Sequence, residues 1–251
     1  MSERAAIVTG GSSGIGLAIA RVLVQEGHRV TLVARRADRL GAAAASLAAE
    51  GGEVEPLAAN LADDDAPARV VAAHRARFGR LDVLVNNAGV GVGAPVAEIQ
   101  ERRLDLQLDV NLRSLILMYR ECAPLLRAAA AEHRNALVVN SSSISGKHGE
   151  RWLSVYSATK AGVIAFTQAM NAELGREGIK SCALCPAWVD TPMTDFIKGA
   201  VPAAEMIRPE DVAEAVRMLL ALSPSCLVGE IAFEPPGGIG GGLPSGSAGG
   251  P

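Results

Sequence analysis

The sequence predicts an α/β fold: a doubly wound parallel sheet of about seven strands flanked by helices, in a single domain. Three observations predict it. Short apolar runs recur along the chain and are continuous rather than alternating, as expected of strands covered on both faces. Segments of helical composition separate them, the order that favours a parallel sheet. Hydrophobic residues make up 49% of the 251 positions, enough for a large buried sheet in a chain whose length suits one α/β domain.

The first run, Ala5-Ala6-Ile7-Val8-Thr9, reads as a buried strand over 5–9. Gly10-Gly11-Ser12-Ser13-Gly14-Ile15-Gly16 follows, and then a helical stretch over 14–26 that stops at Gly27, a C-terminal cap. Further strands are predicted over 29–34, 54–59, 81–86, 136–141, 179–185 and 230–234. The helices between them are predicted over 37–50, 66–78, 102–131, 154–177 and 209–222. Pro209 ahead of Glu210 and Asp211 makes a favourable helix start, with acidic residues at the positive end of the dipole. Residues 1–234 thus form the domain. From Pro235 to Pro251 glycine and proline dominate, a composition that cannot bury a core and is expected to be disordered.

The bulk properties restrict the partners. A formal charge of −3, with acidic and basic residues interspersed, gives no basic stripe for nucleic acid and no patch for a membrane surface. Met1-Ser2-Glu3-Arg4 leads straight into the first strand, without an apolar secretion segment. No run approaches the length of a membrane span, so a cytoplasmic location is expected. Cys182-Ala183-Leu184-Cys185 spells C-x-x-C, but on a strand positions i and i+3 project to opposite faces. No second pair at zinc-ligand spacing accompanies it, so buried structural thiols are expected and no metal site.

Two motifs carry chemistry. Strand, glycine turn and helix is the context of a phosphate-binding loop. Glycines let the backbone approach a pyrophosphate, and the helix N-terminus offers free N–H groups. The spacing here is Gly-x-x-x-Gly-x-Gly. The second motif is Tyr156-Ser157-Ala158-Thr159-Lys160, which places a phenol and an ammonium one helical turn apart. An ammonium so placed stabilises the phenolate, and the tyrosine pKa is expected to fall from about 10 toward a range useful for proton transfer to or from a carbonyl oxygen.

Together Thr9-Gly10-x-x-x-Gly14-x-Gly16, Asn86-Asn87-Ala88-Gly89, Asn111, Ser143 and Tyr156-x-x-x-Lys160 resemble the short, single-domain branch of the short-chain dehydrogenase/reductase family, over about residues 4 to 234. The resemblance implies a Rossmann-type fold and hydride exchange between a nicotinamide cofactor and a carbonyl or secondary alcohol. It implies Tyr156 as general acid in reduction and general base in oxidation, with Lys160 lowering its pKa and holding the nicotinamide ribose. Ser143 would hydrogen-bond the substrate carbonyl, and Asn111 would hold a water that relays protons to the lysine. It further implies cofactor contacts from Gly10, Ser12, Ser13, Gly14, Ile15 and Gly16, from Asn60 and Leu61, from Asn87, Ala88 and Gly89, and from Pro186, Val189 and Thr191. Asn60 stands where an aspartate usually meets the adenine. Ala187 replaces the usual glycine of a Pro-Gly turn, where a positive φ would be strained. Residues 188–207 are expected to form a mobile lid over the substrate, and a homodimer or homotetramer is implied.

The second strand ends Val33-Ala34-Arg35-Arg36, without the acidic residue that selects NAD through the ribose hydroxyls. Arg35 and Arg36 can pair with a 2′-phosphate instead. One charge-assisted bond of about 1.5–3 kcal/mol favours NADP(H) over NAD(H) by roughly ten- to a hundredfold. NADP(H) is therefore expected, with NAD(H) possible. The loop Lys147-His148-Gly149-Glu150-Arg151-Trp152 is charged and lacks the small polar-glycine pattern of the ketoacyl reductases of fatty-acid synthesis, which counts against that assignment. Two alternatives stay open: an NAD-preferring alcohol dehydrogenase, and a catalytically silent nucleotide-binding regulator that kept the fold.

Overall fold

The apolar runs become seven strands of one sheet in the computed structural model, which describes residues 4–199 and 201–236. The strands are β1 (Ala5–Thr9), β2 (Arg29–Ala34), β3 (Val54–Ala58), β4 (Val83–Asn86), β5 (Ala136–Ser141), β6 (Ile179–Pro186) and β7 (Glu230–Phe233). Every pairing is parallel and the order is β3-β2-β1-β4-β5-β6-β7. The chain order therefore reverses between β1 and β4, the switch point at which open α/β sheets present a crevice beyond their carboxyl ends. Pro56 lies in β3, an edge strand, where a residue without an N–H is tolerated. Of the Gly/Pro-rich tail, residues 237–251 lie outside the described residues.

The helices are α1 (Gly14–Gln25), α2 (Ala37–Ala49), α3 (Ala66–Phe78), α4 (Glu101–Leu108), α5 (Ser114–His133), α6 (Ser154–Leu174) and α7 (Pro209–Ala221). Side-chain alternation along each strand divides the core into two layers. Ala6 and Val8 of β1 pack with Leu32, Val85, Val139 and Leu184 against α1, α2 and α7. Ile7 packs with Val33, Leu84 and Val138 against α3, α5 and α6. Gly27, at φ +77°, ends α1 as its glycine predicts.

One predicted helix differs. The stretch expected as a single helix over 102–131 is broken by a π turn, Asp109–Arg113, between α4 and α5. Such turns carry an extra residue and recur at functional positions. Here the turn carries Asn111.

At the opposite end of the sheet from the switch-point crevice lies a buried polar cluster. Asp82, 2% exposed, accepts from the Ala5 amide (2.8 Å) and from Arg80 Nη2 and Nε (2.6 and 2.9 Å), and pairs with His133 at 3.0 Å. Burial alone raises its pKa, but the hydrogen bonds outweigh it and hold the carboxyl below its ordinary value. His74, fully buried on α3, sits between the Thr31 hydroxyl (2.7 Å) and the Arg80 carbonyl (2.8 Å). A neutral imidazole satisfies both, with Nε2–H donating to the carbonyl and Nδ1 accepting from the hydroxyl. Burial pushes its pKa down to about 4.

Candidate active site

Beyond the carboxyl ends of β1 and β4, side-chain hydrogen bonds stitch the switch point together. The Thr9 hydroxyl accepts from the backbone amides of Asn87 (2.9 Å) and Ala88 (3.1 Å). The Asn87 side-chain amide donates to the Thr9 and Gly10 carbonyls, both at 3.3 Å, and its oxygen accepts from Ser141 Oγ at 3.1 Å. Below them Asn86 donates to Asn140 and Asn140 to Thr167, each at 3.0 Å, inside the sheet and α6. The Asn-Asn dipeptide thus spends its side chains on holding β1, β4 and β5 in register. The resemblance named Asn87 as a cofactor contact; its side chain is already occupied by the scaffold.

The glycine turn is packed so tightly that side chains are excluded from it, which leaves its backbone open to a pyrophosphate. A Cβ on Gly16 would lie 2.3 Å from the Gly10 carbonyl oxygen and 2.5 Å from Asn87 Nδ2, and one on Gly10 would meet the Ala88 backbone at 3.0 Å. Gly10 and Gly14 adopt φ of +64° and +54°, a region that favours glycine. A Cβ on Gly14 would touch Thr191 Cγ2 at 2.9 Å, so the turn and Thr191 face each other across the crevice. Ser13 precedes α1 in extended conformation without a side-chain cap, and no acidic residue occupies the first turn. The free N–H groups at that helix start therefore point where an anion would be received. Ser12 and Ile15 are half-buried in the same turn.

The second strand ends beside this turn, because the Gly11 amide donates to the Val33 carbonyl at 3.2 Å. Arg35 and Arg36 are both exposed. Arg36 is held by Asp38 at 2.8 Å, whereas Arg35 holds no ion pair among the described residues. Asn60 is exposed and turned on itself: its Nδ2 donates to Asp63 at 2.8 Å, and its oxygen accepts from the Ala62 amide at 3.4 Å. Leu61 is a core residue, so only its backbone can face a ligand.

The four residues named for catalysis converge. Gly89 lies where a Cβ would be 3.5 Å from both Asn111 Oδ1 and Lys160 Nζ, and a Cβ on Gly91 would lie 3.8 Å from the Tyr156 ring. Asn111, 1% exposed, brackets the Val90 backbone. Its oxygen accepts from the amide at 2.8 Å, and its Nδ2 donates to the carbonyl at 2.9 Å and to Thr159 Oγ1 at 3.2 Å. Ser143 begins a 3-10 turn, Ile144–Gly146, that presses onto α6. A Cβ on Gly146 would lie 2.7 Å from the Lys160 backbone carbon, and Ser142 Oγ donates to the Lys160 carbonyl at 2.8 Å. That close approach sets Ser143 against Tyr156.

The electrostatics depart from the sequence expectation. Burial pushes the Tyr156 phenol up to about 12; Ser143 acts in the opposite sense through a hydrogen bond and Glu150 adds to the rise. Lys160, 4% exposed, is pushed down to about 8 by burial. Its ammonium donates to the Ser141 carbonyl at 2.7 Å and lies 5.6 Å from the Tyr156 ring centre. The expected fall of the tyrosine pKa is therefore corrected: desolvation of the phenol exceeds the lowering by Ser143, and the Lys160 ammonium donates to backbone. The phenol is protonated at neutral pH.

The Ala187 strain is also corrected. Ala187 is not among the positive-φ residues, and its amide donates to the Phe233 carbonyl at 2.9 Å. The non-glycine residue near the site with a left-handed backbone is Trp152, at φ +66°, with Arg151 stacked on its ring at 4.6 Å. Among residues 188–207 a backbone bridge joins Val189 to Ile207. A capping box of Thr191 and Thr194 opens the 3-10 turn Pro192–Ile197, while Lys198 pairs with Asp190 and Asp195. Pro186 turns its carbonyl toward Ser143 Oγ at 3.4 Å, and Val189 gives its carbonyl to Thr194 at 2.6 Å. Cys182 and Cys185 are both buried, and burial pushes Cys182 up to about 12. Among the described residues no group of three or more potential metal ligands occurs, and no helix is long and apolar enough to cross a membrane.

A glycine cradle at the switch point of a parallel sheet, with serine, tyrosine and lysine beyond it, defines the class of nucleotide-dependent oxidoreductases. The chain belongs to the short-chain dehydrogenase/reductase family: residues 4–200 match the short chain dehydrogenase profile. A Streptomyces virginiae protein named "Monensin polyketide synthase putative ketoacyl reductase" is 38% identical over 203 residues, or 81% of this chain and 77% of its own. A variant of the actinorhodin polyketide ketoreductase, solved with NADPH, superposes with a TM-score of 0.82 at 32% identity, covering 92% of this chain and 95% of that one. A 3-ketoacyl-(acyl-carrier-protein) reductase from Brucella melitensis, solved with NADH, gives 0.83 at 26%, covering 92% and 96%.

Proposed function

We propose that this protein interconverts carbonyl compounds and secondary alcohols with NADP(H), using Tyr156 as general acid in reduction and general base in oxidation. The observation that carries the reading is the convergence of Tyr156, Lys160 and Asn111 on the Gly89–Gly91 segment beside the glycine cradle, with Ser143 acting on the Tyr156 phenol. When bound, the nicotinamide supplies or accepts the hydride. The cradle residues Gly10 to Gly16 would hold the pyrophosphate, with Thr191 opposite, and Val189 and Pro186 would offer backbone. Asn60, Leu61, Ala88 and Gly89 would border the adenosine and ribose.

Tyr156, protonated at neutral pH, is in the state needed to give H⁺ to a developing alkoxide. Lys160 holds a donor near the same point. Ser143 orients the carbonyl oxygen, the kind of positioning from which much of a rate enhancement arises. Arg35, exposed beside the turn and without an ion pair among the described residues, is the residue that favours NADP(H), since Arg36 is occupied by Asp38. Leu108 of α4 and Ile116 of α5 are exposed beside Leu112 of the π turn and Leu117 of α5, an apolar face that suits a homo-oligomer. The names of the relatives make β-keto acyl compounds the first carbonyls to try. A panel of ketones, aldehydes and alcohols scored at the nicotinamide absorbance band, with both coenzymes, tests the reading. Turnover that Tyr156→Phe abolishes supports it. Turnover that survives Tyr156→Phe, or NADPH binding with no reduction anywhere in the panel, overturns it and favours a silent regulator.

A further inference from the structure

The charged loop ahead of α6 contains one side chain that reaches into the site. Glu150 Oε1 accepts from Ser145 Oγ at 2.5 Å, Ser145 Oγ accepts from Ser143 Oγ at 3.2 Å, and Ser143 faces the Tyr156 phenol as a hydrogen-bond partner. Ser143 and Ser145 are 8% and 5% exposed, whereas Glu150 is only half-buried and opens to solvent. The geometry is fixed at both ends. The Ser145 amide donates to Ser143 Oγ at 3.2 Å, and the Glu150 amide donates to Ser157 Oγ at 3.3 Å, one residue from Tyr156.

We propose that Glu150 is the solvent end of a proton relay that reloads Tyr156 through the hydroxyls of Ser145 and Ser143. The inference rests on Tyr156 being the acid of the proposed reaction. Each hydroxyl in the row has one proton to give: the carboxylate only accepts, so Ser145 donates to Glu150, and Ser143 is left to donate to Ser145 at 3.2 Å or to the Pro186 carbonyl at 3.4 Å. This is the arrangement left after a proton has travelled inward. When Tyr156 has given its proton away, Glu150 takes one from solvent and passes it to Ser145. Ser145 passes its own to Ser143, and Ser143 passes its own to the phenolate. Three O–H bonds to relay oxygens break and three form; the net change is one solvent proton consumed and one phenol restored. In the oxidative direction the row runs outward, in the sense of donation now present. Glu150 and Ser145 touch no reacting atom in this scheme and act through Ser143 and Tyr156.

The test compares the first turnover with later ones. Wild type, Glu150→Gln and Ser145→Ala are mixed rapidly with NADPH and the carbonyl that the wild type reduces fastest in the panel, and circular dichroism checks that each variant is folded. Both variants start with Tyr156 protonated, so the burst should proceed at the wild-type rate. Steady-state kcat should then fall roughly tenfold, part of the 10²–10⁴ or so that positioned acid–base groups contribute, with KM unchanged. Added imidazole, a small diffusible acid, should restore it, and the double variant should be no slower than either single one. Burst and steady state falling together, an unchanged kcat, or no response to imidazole would overturn the relay while leaving Tyr156 as the acid. A wild-type protein that reduces nothing in the panel would instead remove the enzymatic reading and this inference with it.

Discussion

Acid should weaken this protein through His74, and the size of the effect follows from its surroundings. The imidazole is fully buried, and burial holds its pKa at about 4 against 6.5 in an exposed chain. The unfolded chain therefore takes up a proton first as pH falls. The stability contributed by the neutral ring is complete above about pH 6.5, is lost progressively down to about pH 4, and changes no further below that. A shift of about 2.5 units corresponds to about 3 kcal/mol over the whole window, and to about 2 kcal/mol between pH 7 and pH 4.5. His28, whose pKa burial also lowers, acts in the same direction, so the wild type alone cannot isolate His74. Asp82, held low, loses its contribution only at more acidic pH. The measurement is urea unfolding of wild type and His74→Gln at both pH values and one protein concentration. Glutamine can donate to the Arg80 carbonyl and accept from Thr31 without titrating. The variant should lose about 2 kcal/mol less than wild type on acidification. Equal losses would refute the assignment of the slope to this ring.

Three further outcomes follow from the site. Gly16→Ala places a methyl 2.3 Å from the Gly10 carbonyl; the cradle must shift, costing about 1–3 kcal/mol in unfolding measurements, and NADPH affinity measured by fluorescence titration should fall at least tenfold, on the order of 1.4 kcal/mol. Arg35→Asp should weaken NADPH binding roughly ten- to a hundredfold and NADH binding far less; equal losses by calorimetry would remove Arg35 from cofactor selection. Lys160, at about 8, should set the alkaline limb of the pH–rate profile, so kcat/KM for reduction declines above that pH, and a profile flat well beyond it would contradict this role.

Much of the fold was legible because continuous apolar runs leave little choice of period. The predicted bounds of β1, β2, β5 and α3 coincide with the structure. The π turn was not legible, since a slip in hydrogen-bond register within 102–131 leaves the apolar pattern of both flanks intact. The motif residues Gly16, Asn111, Ser143, Tyr156 and Lys160 were legible as an ordered set. Their energetics were not. The Tyr156 pKa depends on how completely the phenol is desolvated and on where Lys160 spends its donors, neither of which spacing reveals. Glu150 was visible only as a loop charge, because its contact with Ser145 depends on the path of the intervening loop. Thr9 was read as the end of a strand, yet its hydroxyl receives two amides across the switch point. A hydroxyl closing a strand beside a glycine turn is the signal that could have marked it.

The widened turn at Asp109–Arg113 sets a limit on engineering. One surplus residue rotates everything after it by about 100° relative to an unbroken spiral. Removing that residue would yield a more regular rod, with better backbone bonding throughout 101–133, but the Asn111 carboxamide would swing away from Val90. Regularity and competence oppose each other along this segment, so sequence changes selected for a smoother, hardier helix there would trade away the bracket that shapes the crevice.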